Sequence, residues 1–273
     1  MELVGEPSKP ADPARNPAAP GLEALQRRYN RFVGSLPAPL AEAAAREATF
    51  RPAHAGGPQS EERLALDALN PVLVATPWLF EPLFQEVGGE PAAVARWLNE
   101  GGALNQSDRL TTGRLLDLAE AGLYGVLASV LQDHLLDRQS EAPAEAALLS
   151  QALSAAAARG YRQLFPAGNA FWRDFDRLSA EHLAGLAAEL RAQRPEATFD
   201  QAAFRRLAWG KVAPIVLTVA GVCHAAGQAV LLPLLEASLK AIALASQMLD
   251  DLGDWRADLA AGRRTYFLAW LAE

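Results

Sequence analysis

Apolar residues recur at helical spacing along most of the chain, and almost nowhere does apolar/polar alternation persist long enough for a strand. Leu22, Leu25, Tyr29, Phe32 and Val33 form a first stripe, ended by the segment from Leu36 to Pro39. HAGGPQ at 54–59 reads as a loop. Leu64, Leu66 and Leu69 then lead to Pro71, and Trp78, Leu79, Leu83 and Phe84 make a bulky apolar patch. After Gly101 and Gly102 the pattern predicts a long, nearly all-apolar helix over 108–138, ending in acidic residues. Further helices are predicted over 143–165, 168–194, 199–225 and 233–260, with Gly262 as the last stop. Such helices span roughly 30–42 Å at 1.5 Å per residue. Because they are apolar on most sides, the fold class expected is all-α: a single antiparallel helical bundle around a central apolar cavity. No internal repeat is evident, nor a P-loop, GxSxG, HExxH or paired CxxC.

Composition narrows the choice. The 273 residues suit one large helical domain, and 51% hydrophobic against 21% charged residues allows a sizeable core. With 25 Lys and Arg against 32 Asp and Glu, the formal charge of −7 argues against nucleic acid or an anionic membrane surface as partner. An anionic small molecule stays open, since divalent cations can reverse the local sign at a carboxylate site. Cys223 is the only cysteine and reads as a buried structural thiol, which excludes an intrachain disulfide. Residues 1–20 read as a disordered Pro/Ala-rich arm without a signal-peptide core. The apolar run from Val212 to Cys223 contains Pro214 and falls short of a bilayer's thickness, and the helix after Pro233 is interrupted by Glu236 and Lys240. The expectation is therefore a cytoplasmic protein with no membrane span.

The most informative stretch is Ser246-Gln247-Met248-Leu249-Asp250-Asp251-Leu252-Gly253-Asp254. Asp250 and Asp254 share one helix face, with Asp251 beside them. Carboxylates crowded into one turn repel, and near a helix C-terminus the dipole disfavours them further. A hard divalent cation would offset that cost, and Mg²⁺ accepts carboxylate oxygens, waters and phosphates together.

Gln247–Asp254 resembles the second aspartate-rich motif of trans-prenyltransferases and related class I isoprenoid synthases, a Gln followed by Asp-Asp-x-x-Asp. Asp258-Leu259-Ala260-Ala261-Gly262-Arg263-Arg264-Thr265 is similar to the Asp-Leu-x-x-Gly-Lys-x-Thr segment of that family, with Arg263 at its lysine. Gly210-Lys211 lies where the family carries a diphosphate-binding lysine, although Val212 replaces the usual threonine. The matches cover about residues 205 to 270.

The resemblance implies a second acidic face on an earlier helix. Leu131-Gln132-Asp133-His134-Leu135-Leu136-Asp137 supplies it: Asp133 and Asp137 share a face, and His134 stands in the second position of the family's Asp-Asp-x-x-Asp. His134 reads as a helix-end residue rather than a ligand; His54 and His182 remain unassigned. By this resemblance Asp133, Asp137, Asp250 and Asp254 hold Mg²⁺, with Asp251 a further catalytic carboxylate. Lys211, Gln247 and Arg263 bind the diphosphate of a prenyl diphosphate substrate. Leu116, Ala119, Leu123, Leu127, Val130, Ala243, Leu244 and Ala245 would wall an apolar pocket for the carbocation. Tyr124, Phe171, Trp172 and Trp209 could offer aromatic faces, or pack as ordinary core.

Elongating members of the family carry Gly-Lys-x-x-Arg-Pro before the first motif and Arg-Arg after it. Here Asn105–Leu110 precedes it and only Arg138-Gln139 follows, so a second diphosphate lacks its cationic seat. That points to a one-substrate terpene synthase, with a chain-elongating prenyltransferase as alternative. A non-catalytic subunit of a heteromeric prenyltransferase is the alternative of another class. Family analogy implies a homodimer. Relatives continue for two or more helices past the Gly-Lys-x-Thr segment. The domain of residues 21–273 is therefore either cut short after Glu273 or closed by helices before residue 100.

Overall fold

The computed structural model describes residues 19–48, 112–194, 199–260 and 262–271. Among them every regular element is helical: α1 (Ala19–Gly34), α2 (Ala38–Glu47), α3 (Thr112–Leu136), α4 (Pro143–Leu164), α5 (Phe171–Ala192), α6 (Gln201–Ala225), a 3₁₀ turn (Ala229–Leu231), α7 (Leu232–Ala260) and α8 (Tyr266–Leu271). The five long helices lie within a few residues of their predicted spans. Helix α2 was not predicted, because Pro39 read as a terminator; it sits instead in the first turn, where a missing N–H costs nothing. The expected arm reaches α1 at Ala19, and residues 1–18 lie outside the described residues, as do His54, the patch from Trp78 to Phe84 and the segment Asn105–Leu110.

Helix ends follow local chemistry. Asp200 caps α6, its Oδ1 accepting from Ala203 N–H at 2.8 Å. Helices α3, α6 and α7 all stop on a residue in the left-handed region: Arg138 (φ 57°), Gly227 (φ 67°) and Gly262 (φ 68°). In each case the next N–H reaches back five residues, Gln139 to His134 O (2.8 Å), Gln228 to Cys223 O (2.7 Å) and Arg263 to Asp258 O (2.8 Å).

Short connections make successive long helices antiparallel neighbours. Helix α6 is the hub. Against α3 its contacts descend as those of α3 ascend: Gly221 meets Leu118, Thr218 meets Gly122, and Ile215 clusters with Val126. The same reversal runs along α5, where Gly185 abuts Gly210 and Asp174 pairs with His224. A first core joins α1 and α2 to α3 and α4 through Leu25, Tyr29, Ala43, Leu127, Leu131, Leu149 and Leu153. A second is aromatic, with Tyr161, Phe165 and Phe171 packed on Leu118 and Val222.

Leu123 and Leu127, expected to wall a cavity, are buried in the first core, and Ala119 packs against it. Tyr124 sits there too, bonded to Glu120 and near Phe32. Phe171 and Trp172 belong to the aromatic core. Cys223 is buried, and burial pushes its thiol up to about 12.

Among the described residues three helical stretches are long and apolar enough to cross a membrane by length and composition: Gly113–Leu136, Gln201–Ala225 and Ala229–Ala260. This overturns the expectation of no membrane span and removes the premise for a cytoplasmic location. Pro214 and the charges on α7 interrupt nothing. Helix α6 continues through Pro214. Glu236 is paired with Arg177, and Lys240 lies 4.2 Å from the centre of the Trp209 ring. Helix α7 is also the least covered, with Leu234, Ile242, Leu249, Leu252 and Leu259 exposed.

Candidate functional site

The C-terminal ends of α3, α5 and α7 meet the N-terminal half of α6 around one open cleft of about 360 Å³. Every residue singled out from the sequence for metal or diphosphate lines it: Asp133 from α3 and Asp137 from the turn after it, Lys211 from α6, Gln247, Asp250, Asp251 and Asp254 from α7, and Arg263 beyond. Glu189, Asp258, Arg264, Thr265 and His134 line it as well. Seven carboxylates thus face three cationic side chains, and the cleft carries a strong negative excess. On its apolar side stand Val130, Phe199, Phe204 and Leu207. None of Tyr124, Phe171, Trp172 and Trp209 is among the lining residues.

Lys211 is the central cation. Its Nζ lies 2.9 Å from Asp133 Oδ1 and 2.9 Å from Glu189 Oε1, tying α6 to α3 and α5. Burial lowers its affinity for a proton, but the two carboxylates outweigh that and raise it above the ordinary range. Asp133 Oδ1 and Glu189 Oε2 are nonetheless buried without a directed hydrogen bond. Burial, then the charge of Asp133, raises Asp137; burial, Asp254 and Asp251 raise Asp250 against the pull of Lys211. The aspartates feel one another across the cleft: Asp133 acts on Asp250, and Asp137 on Asp258.

The α7 cluster is internally braced. Gln247 Nε2 donates to Asp251 Oδ1 at 3.0 Å, and Asp251 Oδ2 accepts from Phe267 N–H at 3.3 Å. Asp251 is accordingly buried and fastens α8, while Asp250 and Asp254 are exposed to the cleft. Arg263 is held 3.2 Å from Asp258. Arg264 donates to Arg194 O at 2.8 Å, joining the turn after α7 to the end of α5.

Two residues escaped the sequence argument. Glu189 is one, although its phase was informative: it falls on the buried stripe of α5 with Leu178, Gly185, Ala188 and Ala192, where an acid needs a partner. His182 is the other. Pro214 has no N–H to offer the carbonyl four residues earlier, Gly210 O. His182 Nδ1 fills that place at 2.8 Å, and its Nε2 lies 3.0 Å from Gln132 Oε1. Burial lowers the His182 pKa. One ring thereby fixes the residues that precede Lys211 and Asp133.

Among the described residues no group of three or more His, Cys, Asp and Glu side chains is gathered closely enough to hold a metal ion by itself. Four of the cleft's carboxylates stand on α7, and Asp133, Asp137 and Glu189 come from the other elements. Compared with known proteins, the chain matches no family model, no curated protein and no solved structure.

Proposed function

We propose that the chain is an Mg²⁺-dependent enzyme of the class I isoprenoid synthase kind, which ionises an allylic prenyl diphosphate and releases diphosphate. One observation carries this reading. Two aspartate pairs more than a hundred residues apart line a single cleft with Lys211 between them and Arg263 at its edge. The donors suit Mg²⁺: a small hard cation keeps several waters and needs only one or two carboxylates besides phosphate oxygens. Seven carboxylates around one cleft need counter-charge, and Lys211, Arg263 and Arg264 supply only part of it.

When bound, Mg²⁺ supplies Lewis acidity at the leaving diphosphate. Asp133, Asp137, Asp250 and Asp254 present oxygen donors from the two walls. Lys211 and Arg263 add positive charge where negative charge grows as the C–O bond breaks. Gln247 keeps Asp250 and Asp251 in register through its amide. Val130, Phe199, Phe204 and Leu207 offer the hydrocarbon a wall without nucleophiles. After the first cluster, Gln139 rather than a second arginine lines the cleft, which favours one diphosphate over two.

A second reading is a non-catalytic partner that keeps the diphosphate site. The packing of Leu123 and Leu127 into the core, outside the lining of this cleft, favours it. Incubation with geranyl, farnesyl and geranylgeranyl diphosphates, with and without Mg²⁺, separates the two. Mg²⁺-dependent release of diphosphate, lost in an Asp250→Ala/Asp254→Ala variant that stays folded, supports the enzyme. No release from any of the three by folded protein sinks it.

A further inference from the structure

We infer that Glu189 makes Lys211 a counter-ion shared between protein and ligand, so that the cleft takes diphosphate together with a divalent cation and discriminates against the bare anion. The inference rests on the reading of the cleft as a diphosphate site and assigns a positioning residue within it.

Lys211 Nζ is 2.9 Å from a carboxylate oxygen on each side, Asp133 Oδ1 on α3 and Glu189 Oε1 on α5. An incoming anion must therefore compete with two carboxylates for one ammonium. A divalent cation at Asp133 draws off the charge of that carboxylate. Lys211 is then balanced by Glu189 alone, and its remaining field faces the cleft. Cation and anion binding become coupled through one side chain, and such coupling is reciprocal.

The two carboxylates are unequal in the way this requires. The Glu189 side chain is 8% exposed, and that of Asp133 is 32%. Glu189 stands one turn beyond Gly185, where α5 is pressed against α6, and its buried side chain meets Lys211 there. Among the described residues its Oε2 accepts no hydrogen bond. Asp133 sits on the cleft wall and is the partner free to turn to a metal.

The test is calorimetric titration of the full chain with inorganic diphosphate at pH 8, with and without Mg²⁺, corrected for their association in solution. At that pH Glu189, raised to about 7, is ionised. Glu189→Gln preserves shape and a hydrogen bond to Lys211 but removes the charge. It should bind bare diphosphate about tenfold more tightly than the parent and gain correspondingly less from Mg²⁺. Adding Lys211→Met should erase that gain. A purely structural Glu189 would give weaker binding in both conditions. Mg²⁺-dependent binding by the parent chain, with no gain for folded Glu189→Gln on bare diphosphate, overturns this inference alone. No diphosphate binding by the parent chain even with Mg²⁺ overturns the site reading and the inference together.

Discussion

Gly185 and Gly210 face each other so closely that a Cβ on either would lie 2.5 Å from the Cα of the other. That contact sets the distance between α5 and α6, and with it the reach of Lys211 to Glu189. Gly210→Ala should therefore separate the helices and cost about 1–3 kcal/mol, as overpacking of a tight core does. Gly253, with nothing near a built Cβ, is the contrasting position. Gly253→Ala should stabilise by about 0.5–1 kcal/mol through helix propensity alone. Urea midpoints of the two variants should move in opposite directions.

The bond from His182 to Gly210 O exists because Pro214 offers no N–H. His182→Leu should destabilise the chain by about 1–3 kcal/mol, the cost of an orphaned buried carbonyl. In a Pro214→Ala background the helix supplies its own donor, and the same substitution should cost less. A double-mutant cycle measures the difference, and strictly additive effects would refute the link.

Arg138 ends α3 in the left-handed region, where side chains other than glycine are strained. Arg138→Gly should raise stability by up to about 1 kcal/mol, read from the urea midpoint. A loss of stability would mean that the arginine side chain contributes more than its backbone strain removes.

Like charges on α7 make a stability argument that opposes the functional one. Asp250→Asn relieves repulsion from Asp254 and Asp251, and should raise stability at low salt by about 0.2–0.5 kcal/mol, read from the urea midpoint. The same change should abolish Mg²⁺-dependent diphosphate release. A carboxylate whose removal destabilises the fold and leaves release intact would be structural.

Glu189 gives the chain a pH signature. Its ordinary value is 4.5; burial raises it to about 7, opposed by Lys211 on α6 and assisted by Asp133 and Asp137 on α3. A carboxyl whose folded-state pKa is raised favours folding fully below about 4.5, and that contribution is lost as the pH climbs through about 7. Glu189→Gln should flatten this decline. Unfolding midpoints at pH 5 and pH 8 should converge in the variant and stay apart in the parent chain.

The sequence located the helices well because their apolar faces are long and their stops are local. Gly262 announces itself by chemistry confined to a few residues. The aspartate faces were legible for the same reason, since four-residue spacing on a helix fixes direction. What could not be read was the partner of each face. Leu123 and Leu127 have the periodicity of a cavity wall and of a core alike, and only the placement of α1, α2 and α4 decides between them. Glu189 and His182 acquire their roles from α6, whose register against α5 is set by two glycines with no side chains to advertise it. Pro214 misled because a missing hydrogen bond marks a helix end only when no distant donor replaces it.

Among the described residues α7 rests on α6 along one side and leaves Leu234, Ile242, Leu249 and Leu259 uncovered. Elements with few buried neighbours open at lower free energy than the centre of a domain. The two walls of the cleft accordingly have unequal lifetimes. Asp133 and Lys211 stand on helices packed on several sides, whereas Asp250 and Asp254 ride on a helix that should open first. Warming would disperse the α7 wall while the rest of the bundle still holds its shape, and diphosphate release would fade some degrees before the protein melts.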